Sequence, residues 1–402
     1  MDKKSSLSRR SFVRSAAAIG MGISIMKSNG VMGSEKNSAM AVGLIGCGGR
    51  GNHDAENFCK FASGRIAVLA DPFQDRLEST KKAFEADSPT LYQGMDAYQK
   101  LLQSEIDAVI ITSPPYFHPE HFAAVVEAKK HVYMEKPVSI DTAGAQEVLQ
   151  AGKKGDGQIT MMVGFQSRYH PELQEAVKRV HAGAIGSVVC GDAFYHSGKL
   201  SPQSRPGMSA KEIRLRDWLF DKVLSGDILV EQNIHVIDVC NWFLDAHPIQ
   251  VFAKGGRKAR TFVGDTWDHY EVIYEYPNEC EIVFSSTQFL DLGWGDAGER
   301  LNGSKGAFDG LSKPIRIRGE NPWTPSQESV KKDEAFFQSN DAEANKVRAF
   351  YQSVVDKKYI NEIPNGVQST LTSILGRTSA YRKKVVTWKE MIDENEKLDA
   401  KL

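Results

Sequence analysis

Residues 41–58 read AVGLIGCGGRGNHDAENF, and this stretch decides the fold of the first half of the chain. An apolar run, Ala41 to Ile45, enters Gly46-Cys47-Gly48-Gly49-Arg50-Gly51, and a helical pattern follows. A second apolar run, RIAVLAD, ends at Asp71, twenty residues beyond Gly51. Strand, glycine turn, helix and a delayed acid together form a dinucleotide-binding fingerprint; the glycines alone would not. Gly46 permits the tight turn, Gly48 admits a pyrophosphate to the backbone, and Gly51 allows helix and strand to pack closely. Cys47, Gly49 and Arg50 complete the loop. The helix N-terminus then offers free N–H groups and a positive dipole to phosphate. Asp71 accepts hydrogen bonds from an adenosine ribose and repels a 2′-phosphate, which favours NAD over NADP.

The alternation continues outward. IDAVIITSPP (106–115), HVYMEKPVS (131–139) and QITMMVGF (158–165) are short apolar strands, separated by helices near 119–129 and 141–153. Nearly all-apolar strands alternating with helices predict a parallel sheet covered on both faces. Ligands in such sheets bind beyond the carboxyl ends of the strands. The residues at those ends therefore carry the most weight: Ser113, Pro114 and His118, then Glu135 and Lys136, then Arg168.

Composition sets the limits. The chain has 402 residues, more than one core comfortably fills, so two domains are expected. A net charge of -1 gives no general attraction to nucleic acid or anionic membranes. The five cysteines are scattered, with no CxxC pair, and read as buried small hydrophobes. No cluster of Cys or His has zinc spacing, so no metal is expected. At the start, SRRSFVRSAAAIGMGISIM (8–26) sets Arg9-Arg10 and Phe12 before a weakly apolar run, the layout of a twin-arginine export signal. Residues 1–40 are read as that signal and its linker, with a periplasmic destination and no membrane span in the mature form.

TSPPYFHPEH (112–121) resembles the T-P-N-x-x-H turn, and MEKPVS (134–139) the E-K-P motif, of the glucose–fructose oxidoreductase / inositol dehydrogenase / MocA family. GFQSRYHPELQEAVKRVHAGAIGSV (164–188) is similar to the segment after that family's sixth strand. SGDILVEQNIHVIDVCNWFL (225–244) is similar to its G-G-x-x-x-D-x-G-x-H-x-x-D helix. The resemblance implies a Rossmann domain (41–162), then an α/β domain (163–330) on a large open, mostly antiparallel sheet. It also implies C-terminal helices (331–402) packed back across the junction, and a homo-oligomer, dimer or tetramer, built through that sheet. DHYEVIYEYPNECEIVFSSTQF (268–289) independently reads as two alternating strands turned at Pro277-Asn278-Glu279. Residues 341–358 and 366–384 read as amphipathic helices.

Three departures stand out. The family's catalytic Asp is Glu231 here, the Gly between it and the histidine is Asn233, and the asparagine of T-P-N is Pro115. Oxidation of a secondary alcohol by nicotinamide needs a proton acceptor and donors to hold the developing carbonyl oxygen. His235 fits the acceptor, with Glu231 four residues earlier to orient its ring on one helix face. Lys136 would hydrogen-bond the reacting oxygen, Arg168 would position substrate or nicotinamide, and Trp267 and Trp294 would stack on a sugar ring. The resulting expectation is an NAD(P)-dependent oxidoreductase with tightly bound NAD, acting on a carbohydrate. A glycoside hydrolase using transient oxidation and elimination, and a nucleotide-binding homologue without catalysis, are the alternatives.

Overall fold

The computed structural model describes residues 39–290, 295–325 and 341–402. The expected export signal at 8–26 and Trp294 lie outside the described residues. The described residues from Met40 onward form one compact unit.

Six parallel strands build the first sheet in the order β3-β2-β1-β4-β5-β6. They are β1 (Met40–Ile45), β2 (Gly64–Asp71), β3 (Thr90–Gln93), β4 (Ala108–Ile111), β5 (His131–Met134) and β6 (Met161–Val163). The helices between them are α1 (Gly49–Phe61), α2 (Gln74–Ala83), α3 (Ala97–Leu102), α4 (His118–Glu127) and α5 (Thr142–Gly155). Every residue of β1 and β4 is buried, as their unbroken apolar runs require of strands covered on both faces. The order reverses between β1 and β4, and the crevice beyond that point is where an open α/β sheet binds its ligand. Asp141 caps α5 by accepting from the Gly144 N–H at 2.7 Å.

The second sheet has eight strands in the order β13-β12-β11-β7-β10-β9-β8-β14. They are β7 (Val188–Gly198), β8 (Gln250–Gly256), β9 (His269–Tyr276), β10 (Cys280–Leu290), β11 (Asp296–Gly303), β12 (Gly306–Asp309), β13 (Arg316–Gly319) and β14 (Val386–Thr387). All neighbours run antiparallel except β7 and β10, so the sheet is mixed but mostly antiparallel, as expected. β9 turns into β10 through Pro277–Glu279, with Asn278 at φ 63°. The chain between β7 and β8, with the helix before β7, forms α6 (Pro171–His181), α7 (Ala210–Arg216), α8 (Lys222–Ser225), α9 (Ile228–Glu231) and α10 (Ile234–Leu244), and α10 packs on β7 and β11. Three later helices complete the chain: α11 (Ala342–Val355), α12 (Ile363–Arg382) and α13 (Trp388–Glu394).

The expectation that α12 is amphipathic needs correction: it is buried on nearly every side, Ser369 to Ala380 without a break. It packs against α5 and β6 on one side and α9, α10, β8 and β9 on the other. Its hydroxyls find partners there. The Asn241 amide donates to Thr372 Oγ1 at 3.0 Å, Ser369 Oγ donates to Asp238 at 2.7 Å, and the Ala253 N–H donates to Ser379 Oγ at 3.0 Å. A helix lined with small polar residues whose hydroxyls find partners fits between two sheets at little cost. Among the described residues, no helix is long and apolar enough to cross a membrane.

Candidate active site

The glycine turn behaves as its chemistry requires. Gly46 has φ +97°, and a Cβ there would lie 2.7 Å from the Thr112 carbonyl carbon, so the turn closes directly on the end of β4. A Cβ on Gly51 would lie 2.1 Å from the Gly46 oxygen. Gly48 and Gly49 differ: a Cβ on Gly49 meets nothing within 4 Å, and one on Gly48 only the Arg76 guanidinium at 3.9 Å. These two glycines border a cavity of 410 Å³, at the low end of the size that takes small ligands. Gly49, Arg50 and Gly51, at the start of α1, line the same space.

Asp71 ends β2 in this cavity. Its Oδ2 accepts from the Cys47 N–H and its Oδ1 from the Phe73 N–H, both at 2.8 Å. Burial raises its pKa while those two N–H groups oppose the rise. Each oxygen keeps a further lone pair for a ribose hydroxyl. A glycine cradle open to the cavity, a helix N-terminus and a ribose-facing carboxylate fit an NAD dinucleotide. Cys47 lies beneath the loop and serves it through its backbone.

At the other end of the cavity, Lys136 follows β5 and reaches α9. Its ammonium donates to the Glu231 main-chain oxygen at 2.7 Å and to Glu231 Oε1 at 2.9 Å. His235 lines the same space, half-buried, with its ring edge against Phe165 at 6.3 Å between centroids. Its Nδ1 is buried with no hydrogen-bond partner among the described residues. Burial, then the positive charges of Lys136, Arg50 and Lys346, hold the ring well below the usual histidine pKa. His235 is therefore neutral at pH 7.

The expected Glu231–His235 pair on one helix face is not formed. The helix breaks between α9 and α10 because Gln232 and Asn233 are held by the second sheet. Ser197 and Gln288 donate to Gln232 at 2.9 and 3.0 Å, and Ser286 donates to Asn233. Glu231 consequently turns to Lys136.

Other expected site residues take different roles. The Arg50 guanidinium points into carboxylates, with Glu135 at 2.8 Å and Asp54 and Glu343 at 3.2 Å. It lines the cavity but is not free to embrace a pyrophosphate. Burial alone would favour the acid form of Glu135, yet Arg50, Lys346 and Lys136 hold its pKa below the usual value. His118 sits between two carbonyls, Pro137 at 2.7 Å and Ser113 at 2.8 Å, a strut joining the ends of β4 and β5. Arg168 is not among the cavity residues: it forms a two-pronged pair with fully buried Asp238, at 2.8 and 2.9 Å. Asp238 is the acid of the H-x-x-D pattern, and its charge draws the guanidinium away from the crevice. Trp267 also lies away from the cavity, stacked on Tyr381 at 4.1 Å.

Sequence reasoning missed most of the adenosine wall. Phe73, Arg76, Met95, Tyr98 and His121 line it from the first sheet, and Leu215, Trp218 and Leu219 from the second half of the chain. Phe73 and Arg76 went unnamed although their closeness to Asp71 in the sequence is a usable signal, while nothing local marks the residues of α7 and beyond.

Known proteins are similar to this chain in sequence and in fold. Residues 40–165 match an oxidoreductase family model with an NAD-binding Rossmann fold, and residues 173–309 match the GFO/IDH/MocA C-terminal domain. The oxidoreductase YrbE of Bacillus subtilis is 27% identical over 217 residues, 54% of this chain and 57% of its own length. The myo-inositol 2-dehydrogenase of Thermotoga maritima is 25% identical over 229 residues, 57% of this chain and 62% of its own. The chain thus spans less than two thirds of the length of these relatives. The solved structure of a levoglucosan dehydrogenase in complex with NADH and levoglucosan superposes with a TM-score of 0.69 at 18% identity, over 87% of this chain and 99% of that one. With both family models matched in order around one crevice, the chain belongs to the GFO/IDH/MocA family of oxidoreductases.

Proposed function

We propose that the protein is an NAD-dependent oxidoreductase that removes hydride from a secondary alcohol of a sugar or polyol. The observation that carries this reading is the convergence of Lys136, Glu231 and His235 at one end of the cavity whose other end holds the glycine turn and Asp71. NAD, when bound, supplies the hydride acceptor. The chain manages the proton and the charge. Two N–H bonds of the Lys136 ammonium are spent on Glu231, which leaves the third for the substrate oxygen. Neutral His235 takes the hydroxyl proton as the carbonyl forms. The inositol and levoglucosan dehydrogenases among its relatives support a polyhydroxylated substrate.

Two finer readings accompany this one. Arg9-Arg10 ahead of an apolar run supports export by the twin-arginine route, with the nucleotide carried along. Outside the cytoplasm free NAD is scarce, so a nucleotide carried through export in the bound form suits this reading. A homo-oligomer is supported by the outer face of the second sheet, where Phe252, Ile273 and Val283 are exposed side by side across β8, β9 and β10.

The test is absorbance of reduced nicotinamide on mixing purified protein with NAD and a panel of inositols, aldoses and anhydrosugars. Turnover with at least one of them, abolished in His235→Ala, is expected. A chain that binds NAD yet reduces none with any sugar, and instead releases aglycone from aryl glycosides, would replace this reading with the hydrolytic one. Light scattering in solution checks the oligomer.

A further inference from the structure

The dinucleotide crevice is walled from two sides. The first sheet supplies the glycine turn, Asp71, Phe73 and Arg76; a segment of the C-terminal domain, Leu200 to Leu219, crosses in front of them. This segment leaves the end of β7 and folds on itself, with Asp217 accepting from the Gln203 and Ser204 N–H groups at 2.6 and 3.0 Å. It is then fastened to the first half of the chain beside the adenosine site. Arg216 donates through both terminal nitrogens to the two oxygens of Asp75, at 2.8 and 3.0 Å. The same guanidinium lies over the Phe73 ring at 4.0 Å, and Arg76 donates to Gln203 at 3.0 Å. Arg214 donates to the Ala400 oxygen at 2.7 Å, and the tail before it is tied back by the Leu398 N–H donating to Asp141 at 2.6 Å. Leu215, Leu224 and Ala400 pack with Phe73, Phe117 and Trp218 into a small apolar cluster under the segment.

These contacts lie across the path by which an adenosine held on Asp71 would leave. Lys136 and Glu231, paired at 2.9 Å, line the same cavity away from these contacts. We propose that Leu200 to Leu219 is a clasp over the adenosine half of the site, and that Asp75 with Arg216 sets how long NAD stays bound. The proposal rests on the oxidoreductase reading above and adds to it the residues that govern nucleotide residence. Asp75 and Arg216 are positioning residues: the ion pair joins α2 to α7, stands outside the cavity on the Asp75 side, and acts by keeping Leu215 and Trp218 in place.

Release is measured directly by loading the full chain with NADH, mixing with a large excess of NAD and following the loss of NADH fluorescence in a stopped flow. Asp75→Asn and Arg216→Gln should each speed release roughly tenfold or more, the scale of losing a two-pronged charged contact. The exchanged pair, Asp75→Arg with Arg216→Asp, should return the rate to within about threefold of the parent, an outcome that a merely structural role does not produce. Near-uniform release rates across all four proteins would overturn the clasp while leaving nucleotide binding intact. Faster release in the single variants that the exchange fails to repair would overturn the assignment to this ion pair. A parent chain that binds no NADH would sink the oxidoreductase reading and the clasp together.

Discussion

Lys136 holds Glu231 by two different handles, the main-chain oxygen at 2.7 Å and the carboxylate at 2.9 Å. The backbone contact does not depend on the Glu231 side chain, so the ammonium keeps part of its placement whatever residue stands there. The family's shorter acid is replaced here without dismantling the site.

From this follows a graded response. Lys136→Met should lower kcat about 100- to 10,000-fold, the range of a lost proton donor or oxyanion partner. Glu231→Gln, which keeps the main-chain contact, should cost only about 10-fold. Steady-state kinetics at saturating NAD distinguishes the two; equal losses would show that the side chain alone positions Lys136.

The two kinds of glycine in the turn should separate under substitution. Gly51→Ala forces a Cβ to 2.1 Å from a backbone oxygen, so both folding and NAD binding should suffer. Gly49→Ala meets open space, so the thermal midpoint should stay while NADH affinity falls, on the order of 10-fold or more for a methyl group at the phosphates. Thermal unfolding paired with NADH titration reads both effects. A Gly49→Ala protein that binds NADH normally would place the pyrophosphate elsewhere.

Arg168→Ala tests whether that guanidinium serves structure or substrate. Fully buried Asp238 would lose its two-pronged partner, and stability should fall by about 3–5 kcal/mol, as for a broken buried pair. Urea unfolding measures the loss. A variant that unfolds normally but shows a raised KM would return Arg168 to the substrate site.

Acid stability should reflect His121 and His235. Burial holds His121 down to about 3, and burial with nearby cations holds His235 well below its ordinary value. Both rings are neutral in the folded chain but gain a proton in the unfolded one below about pH 6.5, so stability declines as pH falls below that point and is unaffected above it. For His121, 6% exposed, the loss amounts to about 2 kcal/mol at pH 5. Urea unfolding at pH 5 and pH 7, repeated on His121→Gln, should show the variant losing less. The same depression predicts that kcat for alcohol oxidation carries no inflection near pH 6.5 from His235.

The nucleotide half of the site was legible because its determinants are local. Glycines 46, 48 and 51 and Asp71 lie within one βαβ unit, where spacing translates directly into geometry. Lys136 was legible for the same reason, at the end of a buried strand. The substrate end was legible in membership but not in pairing. Glu231 and His235 stand four apart, yet the helix that would join them is broken by bonds from Ser197, Ser286 and Gln288, on strands far along the chain. Arg168 was misplaced because nothing local to it marks Asp238, 70 residues further along, as its buried partner. The adenosine wall from Leu215 to Leu219 carries no local pattern; only the folded chain brings it to Phe73.

The burial of α12 between the two sheets bears on how the chain matures. Both sheets, apart from the short strand β14, are translated before Ile363 appears, so a growing chain must hold two unfilled apolar faces until this late segment arrives. Synthesis of Ile363–Arg382, rather than completion of the first βαβ units, is then the step after which the protein becomes resistant to protease, and a nascent chain stalled before residue 363 should remain a chaperone client.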